Sequence, residues 1–194
     1  DRNHAIFPPY MTQTLHGFYA SLLPLEPDGR LSTIRLAYGQ LKACVAGTGK
    51  EVGETKAAYT SEQRERLKEG MTILVSLLCS LLRNTKTPSS KCACIRLLCE
   101  SGLYCDNERK MQHVVPYLLS MLNQGSTIVR SMALSALTTI LKSVDALPAS
   151  EEKVFSEYIF PSLALLCSDP EEMVRVQFAS ELSKLIEVAC RLLR

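Results

Sequence analysis

The chain has 194 residues, 46% of them hydrophobic and 22% charged, which is enough apolar material to close a core and too much for a disordered or fibrous segment. A formal net charge of +2, with no run of Lys or Arg longer than a pair, excludes a phosphate-backbone binder with a clustered basic face. The uninterrupted apolar stretches are far shorter than the ~20 residues a membrane-spanning helix needs.

The first 29 residues open with the proline-punctuated Ile6-Phe7-Pro8-Pro9-Tyr10 and predict an aromatic-rich helix over about 9–23, closed by Pro24, Pro27 and an Asp28-Gly29 turn. Leu31, Ile34, Leu36, Tyr38, Leu41 and Val45 then predict a second helix that stops at Gly47, so that 1–46 reads as an irregular first hairpin. Residues 47–61 carry three glycines and no apolar period, which predicts a solvated loop. Gly47-Thr48-Gly49-Lys50 is not a phosphate loop, because Cys44 stands where the motif needs its first Gly and Glu51 where it needs Ser or Thr to hold magnesium.

From Glu62 the pattern is helical again. Leu67, Met71, Leu74, Val75, Leu78, Leu81 and Leu82 recur at spacings of three and four, and a partner helix follows from Lys91 to about Leu103. Two further hairpins run from about Glu108 to Val144 and from about Glu151 to the end. The expected units within 62–194 are therefore 62–105, 108–146 and 151–194.

The last two units repeat each other at 45 residues: Pro116 falls on Pro161, Leu118 on Leu163, Val129 on Val174, Arg130 on Arg175, Leu137 on Leu182, and Ile140-Leu141 on Leu185-Ile186. A self-match of this period across two helical patterns is the signature of a helical solenoid, in which each hairpin buries its apolar face only against its neighbours. The fold class is all-α, a HEAT-like helical-hairpin solenoid of the armadillo-like, α–α superhelical kind. Val129, Ala133, Ala136, Leu137, Ile140, Leu141 and Val144 form a stripe wide enough to touch both the partner helix and the next hairpin. Pro116 and Pro161 inside their helices predict a bend at the same place in each unit; the alternative is that each proline starts its helix. In Ser168-Asp169-Pro170-Glu171-Glu172, Asp169 is placed to cap, Pro170 to open the helix and Glu172 to close a capping box. Arg130 and Arg175, each just after a stripe valine, can lie over the apolar layer and reach an acidic or carbonyl group of the adjacent unit, or stay solvated.

Catalytic signals are missing. Eight cysteines occur without a C-x-x-C, the three histidines are scattered, and most of the cysteines fall within apolar helical runs, so buried free thiols in a reducing compartment are expected and no metal or cofactor. His113 reads as an ordinary helix residue, and neither a nucleophile elbow nor the kinase loops are present. The expected repertoire is protein–protein contact, with no catalytic, cofactor or metal residue and no direct nucleic-acid binding.

Helix pairs with a proline in the first helix, Asp-Pro in the turn and Val-Arg opening the second resemble HEAT repeats. Ile6-Phe7-Pro8-Pro9-Tyr10, Leu15-His16-Gly17-Phe18-Tyr19, Leu67 to Met71 with Leu77-Leu78-Cys79, His113 to Tyr117 and Phe155 to Pro161 together resemble the vacuolar protein sorting 15 family, the phosphoinositide 3-kinase regulatory subunit 4 group, along nearly the whole chain. The resemblance implies a longer parent, of which this is an excised piece, with an upstream Ser/Thr-kinase-like domain, a central HEAT array and a C-terminal propeller. It implies as partners the catalytic subunit of class III phosphatidylinositol 3-kinase and Beclin-type and Atg14- or UVRAG-type coiled-coil subunits. The setting it implies is cytoplasmic, peripheral on endosomal, autophagic or vacuolar membranes through the assembled complex. No kinase residue of the family falls in this stretch. A karyopherin-like or phosphatase scaffold shares the repeat pattern, and a fragment of an active Ser/Thr kinase is the enzymatic alternative. Uncapped terminal faces further predict self-association of the isolated chain.

Overall fold

The structure, a computed structural model, describes residues 25–45, 61–147 and 153–193. The expected opening helix at 9–23 and the body of the loop at 47–61 lie outside the described residues. Among the described residues there are seven helices and no strand.

Helix α1, Pro27–Val45, begins earlier than the apolar period suggested. The Pro27-Asp28-Gly29 segment is its first turn and not a closing turn, with the Arg30 amide bonded to Glu26 at 2.9 Å; proline suits a first helical position because its missing N–H is not needed there. Leu31, Ile34 and Tyr38 are buried, but Leu36 is 71% exposed, because it falls off the three-and-four spacing that its neighbours share. Helix α2, Ser61–Asn84, buries Met71, Leu74, Val75, Leu78, Leu81 and Leu82. Helix α3, Pro88–Gly102, starts three residues before Lys91, since Thr87 caps it by accepting the Ser90 amide and Pro88 takes the first helical position.

Helix α4 is built in three parts: a turn Asn107–Arg109 capped by Asp106, a π-helical stretch Lys110–Val114, and an α-helix Val115–Met121. Helix α6 repeats this design 45 residues on, with a π stretch Phe155–Ile159, an α-helix Phe160–Ala164 and a closing 3-10 turn Leu165–Ser168. In each, the residue just before the proline donates to the carbonyl five back, Val115 to Lys110 and Phe160 to Phe155. Proline has no N–H to give and its ring crowds the carbonyl four residues earlier, so widening the preceding turn lets the helix run on. Pro116 and Pro161 thus sit at a seam inside a continuing helix, each just after a π stretch and at the start of the α-helical part that follows.

Helix α5 is Thr127–Lys142 and helix α7 is Glu172–Leu192, again starting 45 residues apart. The helices form two layers. In one, α1, α3, α5 and α7 pack in succession; in the other, α2 packs on α4, with α6 beyond it, and α2, α4 and α6 also pack on their hairpin partners α3, α5 and α7. Every member of the predicted stripe from Val129 to Val144 is buried. The burial of α3 matches that of α5 when their starts are aligned: Cys94, Ile95, Leu97, Leu98, Ser101 and Gly102 correspond to Ala133, Leu134, Ala136, Leu137, Ile140 and Leu141, all buried. Gly102 is small for a reason, since a Cβ there would stand 3.0 Å from Ile140 Cδ1 and 3.3 Å from Val114 Cγ2.

Cys79, Cys92, Cys94 and Cys105 are buried, Cys99 is half-buried, Cys167 and Cys190 are exposed, and all are free thiols. Burial pushes Cys79 and Cys94 up to about 12 and Cys99 to about 11. At pH 8 iodoacetamide should therefore modify Cys167 and Cys190 in the native chain and spare Cys79 and Cys94 until denaturant is added, read by peptide mass spectrometry. A raised thiol pKa means that the folded state holds its proton more tightly, so this stabilisation is whole below the ordinary value of 9.0 and is lost as pH rises toward 12. The urea midpoint should fall above pH 9, and less steeply in Cys94→Ala.

Candidate functional site

Stacked hairpins need a device that fixes the level at which one sits on the next, because apolar faces alone tolerate sliding. Here the fourth residues of α3 and α5 supply one. Arg130, at that position in α5, is buried, and its guanidinium is held on three sides. Nε and Nη2 donate to the two carboxylate oxygens of Asp169 at 2.8 Å each, across to the next hairpin. Nη1 donates to the Gln124 and Gly125 carbonyls of its own turn, at 2.8 and 3.1 Å. A planar fork meeting a carboxylate in this two-point way fixes orientation as well as distance.

Asp169 is positioned by its own turn. Its Oδ1 also accepts the Glu171 amide at 2.9 Å. The expected capping by Asp169 is not observed: α7 starts at Glu172, Glu171 occupies the N-cap position without a side-chain cap bond, and Pro170 lies ahead of the helix. The carboxylate goes to the buried guanidinium, whose need for a charged acceptor outweighs that of an exposed helix end. The hydrogen bonds from Arg130 hold Asp169 below its ordinary 3.8, against the upward push of burial.

Arg175 repeats half of this arrangement. Its Nη1 donates to the Asp169 and Pro170 carbonyls at 2.6 and 3.0 Å, the positions 45 residues on from Gln124 and Gly125. Val129 and Val174, the residues just before the arginines, are fully buried and anchor each helix beneath its fork.

A weaker rung precedes it. Lys91 is the fourth residue of α3, and its Nζ bonds Gln124 Oε1, the position that corresponds to Asp169. Two further contacts tie the other ends of the helices. Buried Lys110 donates to Ser143 O at 2.9 Å, and Arg191 Nη2 reaches Lys142 O and Val144 O at 3.0 and 2.9 Å, so both hairpins place a cation on the C-terminal carbonyls of α5. Arg83 lies over the Tyr117 ring at 4.8 Å and links α2 to α4. The sequence did signal the Lys91 rung, but at a spacing of 39 and not 45, visible only when helix starts are aligned. Lys110 and Arg191 carry no repeat signal at all.

Between α4 and α6 lies an open groove of about 530 Å³, lined by Met111, Val115, Pro116, Leu119 and Tyr158 among others. His113 is on an exposed part of the π stretch, where its carbonyl faces Cys79 Sγ at 3.8 Å. No group of three or more His, Cys, Asp or Glu is placed to hold a metal among the described residues. Among those residues, too, no helix is long and apolar enough to cross a membrane. The arrangement joins helices.

Removing one partner of a buried pair leaves the other charge stranded. Arg130→Ala and Asp169→Asn should each cost ~3 kcal/mol or more at neutral pH, whereas Arg175→Ala, which loses only carbonyl contacts at an exposed site, should cost ~1 kcal/mol, all read by urea denaturation. Because the folded-state pKa of Asp169 is depressed, its contribution is present above the unfolded value and is lost as pH falls through the folded one. The gap between the parent chain and Asp169→Asn should accordingly narrow below about pH 4.

The model of the PIK3R4-like, middle domain matches residues 74–194, which contain the Lys91, Arg130 and Arg175 rungs. The serine/threonine-protein kinase VPS15 of Arabidopsis thaliana is 43% identical over 117 residues, 60% of this chain and 8% of that protein. A probable serine/threonine-protein kinase vps15 of Dictyostelium discoideum is 34% identical over 128 residues (64% of this chain, 6% of that protein), and the Saccharomyces cerevisiae kinase VPS15 is 30% identical over 129 residues (64% and 9%). The chain therefore spans less than a tenth of the length of these relatives. With the family model covering more than half of its residues, this all-α, solenoid-like chain belongs to the PIK3R4-like family and matches that family's middle domain.

Proposed function

We propose that this segment is a non-catalytic HEAT-type scaffold within the regulatory subunit of a class III phosphatidylinositol 3-kinase, and that it positions partner proteins by the curved face of its stacked hairpins. Its units are the hairpins at about 62–105, 108–146 and 151–194, preceded by an irregular hairpin over 1–46 and a loop over 47–61. The observation that carries the reading is the rung from Arg130 to Asp169, placed within a match to the family's middle domain: here the buried ionic chemistry goes into joining one hairpin to the next. The relatives are named as serine/threonine kinases, and the kinase chemistry of such a protein belongs outside the segment that this chain matches.

In this reading the array holds the lipid-kinase catalytic subunit together with Beclin-type and Atg14- or UVRAG-type coiled-coil subunits. The complex serves autophagy and endosomal or vacuolar sorting, and the segment reaches membranes only through it. The test is a pulldown of those subunits with the full-length regulatory subunit lacking residues 62–194, compared with the intact protein and with Arg130→Ala. Loss of the lipid-kinase and Beclin-type subunits on deletion, with partial loss for Arg130→Ala, is the expected result; unchanged assembly would sink the proposal. Calorimetry on the 194-residue chain should register no ATP binding, and a saturable, magnesium-dependent site would point instead to a kinase fragment.

A further inference from the structure

The connection from α2 to α3 is Thr85, Lys86 and Thr87, and its two threonines are used differently. Thr85 is buried, and its Oγ1 donates to Leu81 O at 2.8 Å, closing α2. Thr87 is exposed, with φ −79° and ψ 137°, the extended backbone that a following proline favours. Its hydroxyl caps α3 through a long contact, 3.4 Å to the Ser90 amide. Thr87-Pro88 is also the one Ser/Thr-Pro pair in the 194 residues. An enzyme that reads a hydroxyl followed by proline in an extended chain therefore finds its target here, on the surface and in the right conformation.

The surroundings of Thr87 are cationic. Lys86 precedes it and is exposed, and Lys91 lies one turn on in α3. The matched place in the next hairpin indicates where the Lys91 side chain can go. Arg130 folds back over its own turn, onto the Gln124 and Gly125 carbonyls, and it follows Ser126, the N-cap residue of α5, by the same four positions that separate Lys91 from Thr87. An anion built on Thr87 thus comes within reach of the Lys91 ammonium. The partner of that ammonium across the junction is a neutral amide oxygen, Gln124 Oε1. A phosphate is the stronger acceptor, because both partners then carry charge.

We propose that Thr87 is a phosphorylation site for a proline-directed Ser/Thr kinase, and that its phosphate draws Lys91 off Gln124 and frees the turn-side edge of the junction between the second and third hairpins. In the transfer, Thr87 Oγ1 bonds to the γ-phosphorus of magnesium-bound ATP. The bond from that phosphorus to the ADP oxygen breaks, and the hydroxyl proton passes to the base of the kinase. The product carries roughly two negative charges at neutral pH. The next junction is left alone, since Ser126 is followed by Thr127 and not by proline, and Arg130 already holds a carboxylate. The inference concerns how the units stack and not which proteins they gather, so it and the pulldown can fail separately.

The test treats the 194-residue chain with a proline-directed kinase and ATP, with a peptide of residues 81–95 as the unfolded reference and phosphate mapped by mass spectrometry. Thr87 should be modified to near completion in the folded chain, and not in Pro88→Ala. Modification of the peptide but not of the chain overturns the proposal, because the fold then withholds the site; undiminished modification of Pro88→Ala overturns it too.

Amide exchange reads the consequence. The Gln124 amide, which donates to Met121 O at 3.3 Å, should exchange at least about threefold faster after phosphorylation. Lys91→Met should show the faster exchange beforehand and no further change afterwards, whereas Lys91→Arg, which keeps a cation, should respond as the parent chain does. Unchanged exchange at Gln124 in the phosphorylated chain means that the phosphate only caps α3, and the proposed switch is wrong. A full response in Lys91→Met also refutes it, since the phosphate would then act through another group.

Discussion

A guanidinium at 10% exposure beside a carboxylate at 7% is the constraint on which the stacking of the last two units depends. Buried charge is costly unless every donor finds an acceptor, and Arg130 meets that demand with two oxygens of the next hairpin and two carbonyls of its own turn. The consequence is geometric before it is energetic. Four hydrogen bonds to one planar group leave one relative height for α5 and the turn before α7, and with that height fixed, the apolar side chains beneath can interlock in only one register. The leucines supply most of the adhesion; the arginine decides where it acts.

The rungs are graded along the chain. Lys91 with Gln124 is a point charge on a neutral amide, Arg130 with Asp169 a fork on a carboxylate, and Arg175 a fork fixed from one side only. A two-point contact resists rotation, while a single ammonium on an amide oxygen permits it. The junction between the second and third hairpins is therefore less constrained at this edge than the junction between the third and fourth. At the opposite edge Lys110 and Arg191 both seat on the carbonyls that end α5, which makes that helix the member held at both of its ends by its neighbours. The π turns ahead of Pro116 and Pro161 belong to the same logic: a repeated proline costs a hydrogen bond at a fixed place, and a repeated wide turn absorbs it, so α4 and α6 keep step with α5 and α7.

What could be read from the residues was whatever repeats at a fixed spacing or follows the helical period. The stripe from Val129 to Val144, the matched prolines and the paired Val-Arg steps are of that kind. What escaped depends on contacts between distant residues. Asp169 has every local mark of a helix cap, and only the arrival of Arg130 from 39 residues away turns it into a bridge. Lys110 looks like an ordinary surface lysine until the end of α5 comes to lie over it. The π turns follow from proline sterics, yet a kink or a helix start would satisfy the same local rule, and tertiary packing makes the choice. The first turn of α1 is ambiguous for the opposite reason, since Pro-Asp-Gly is equally good at ending one element and starting another.

The same distinction bears on function. An enzyme concentrates its buried polar groups around one pocket, where they shift each other's protonation and wait for substrate. Here Lys110, Arg130 and Asp169 are spread along the seams between helices, and each is bound to its neighbour's backbone or side chain. Groups so engaged fix the position of one helix on the next, and Asp169, which also accepts the Glu171 amide, ties the fork to the turn before α7.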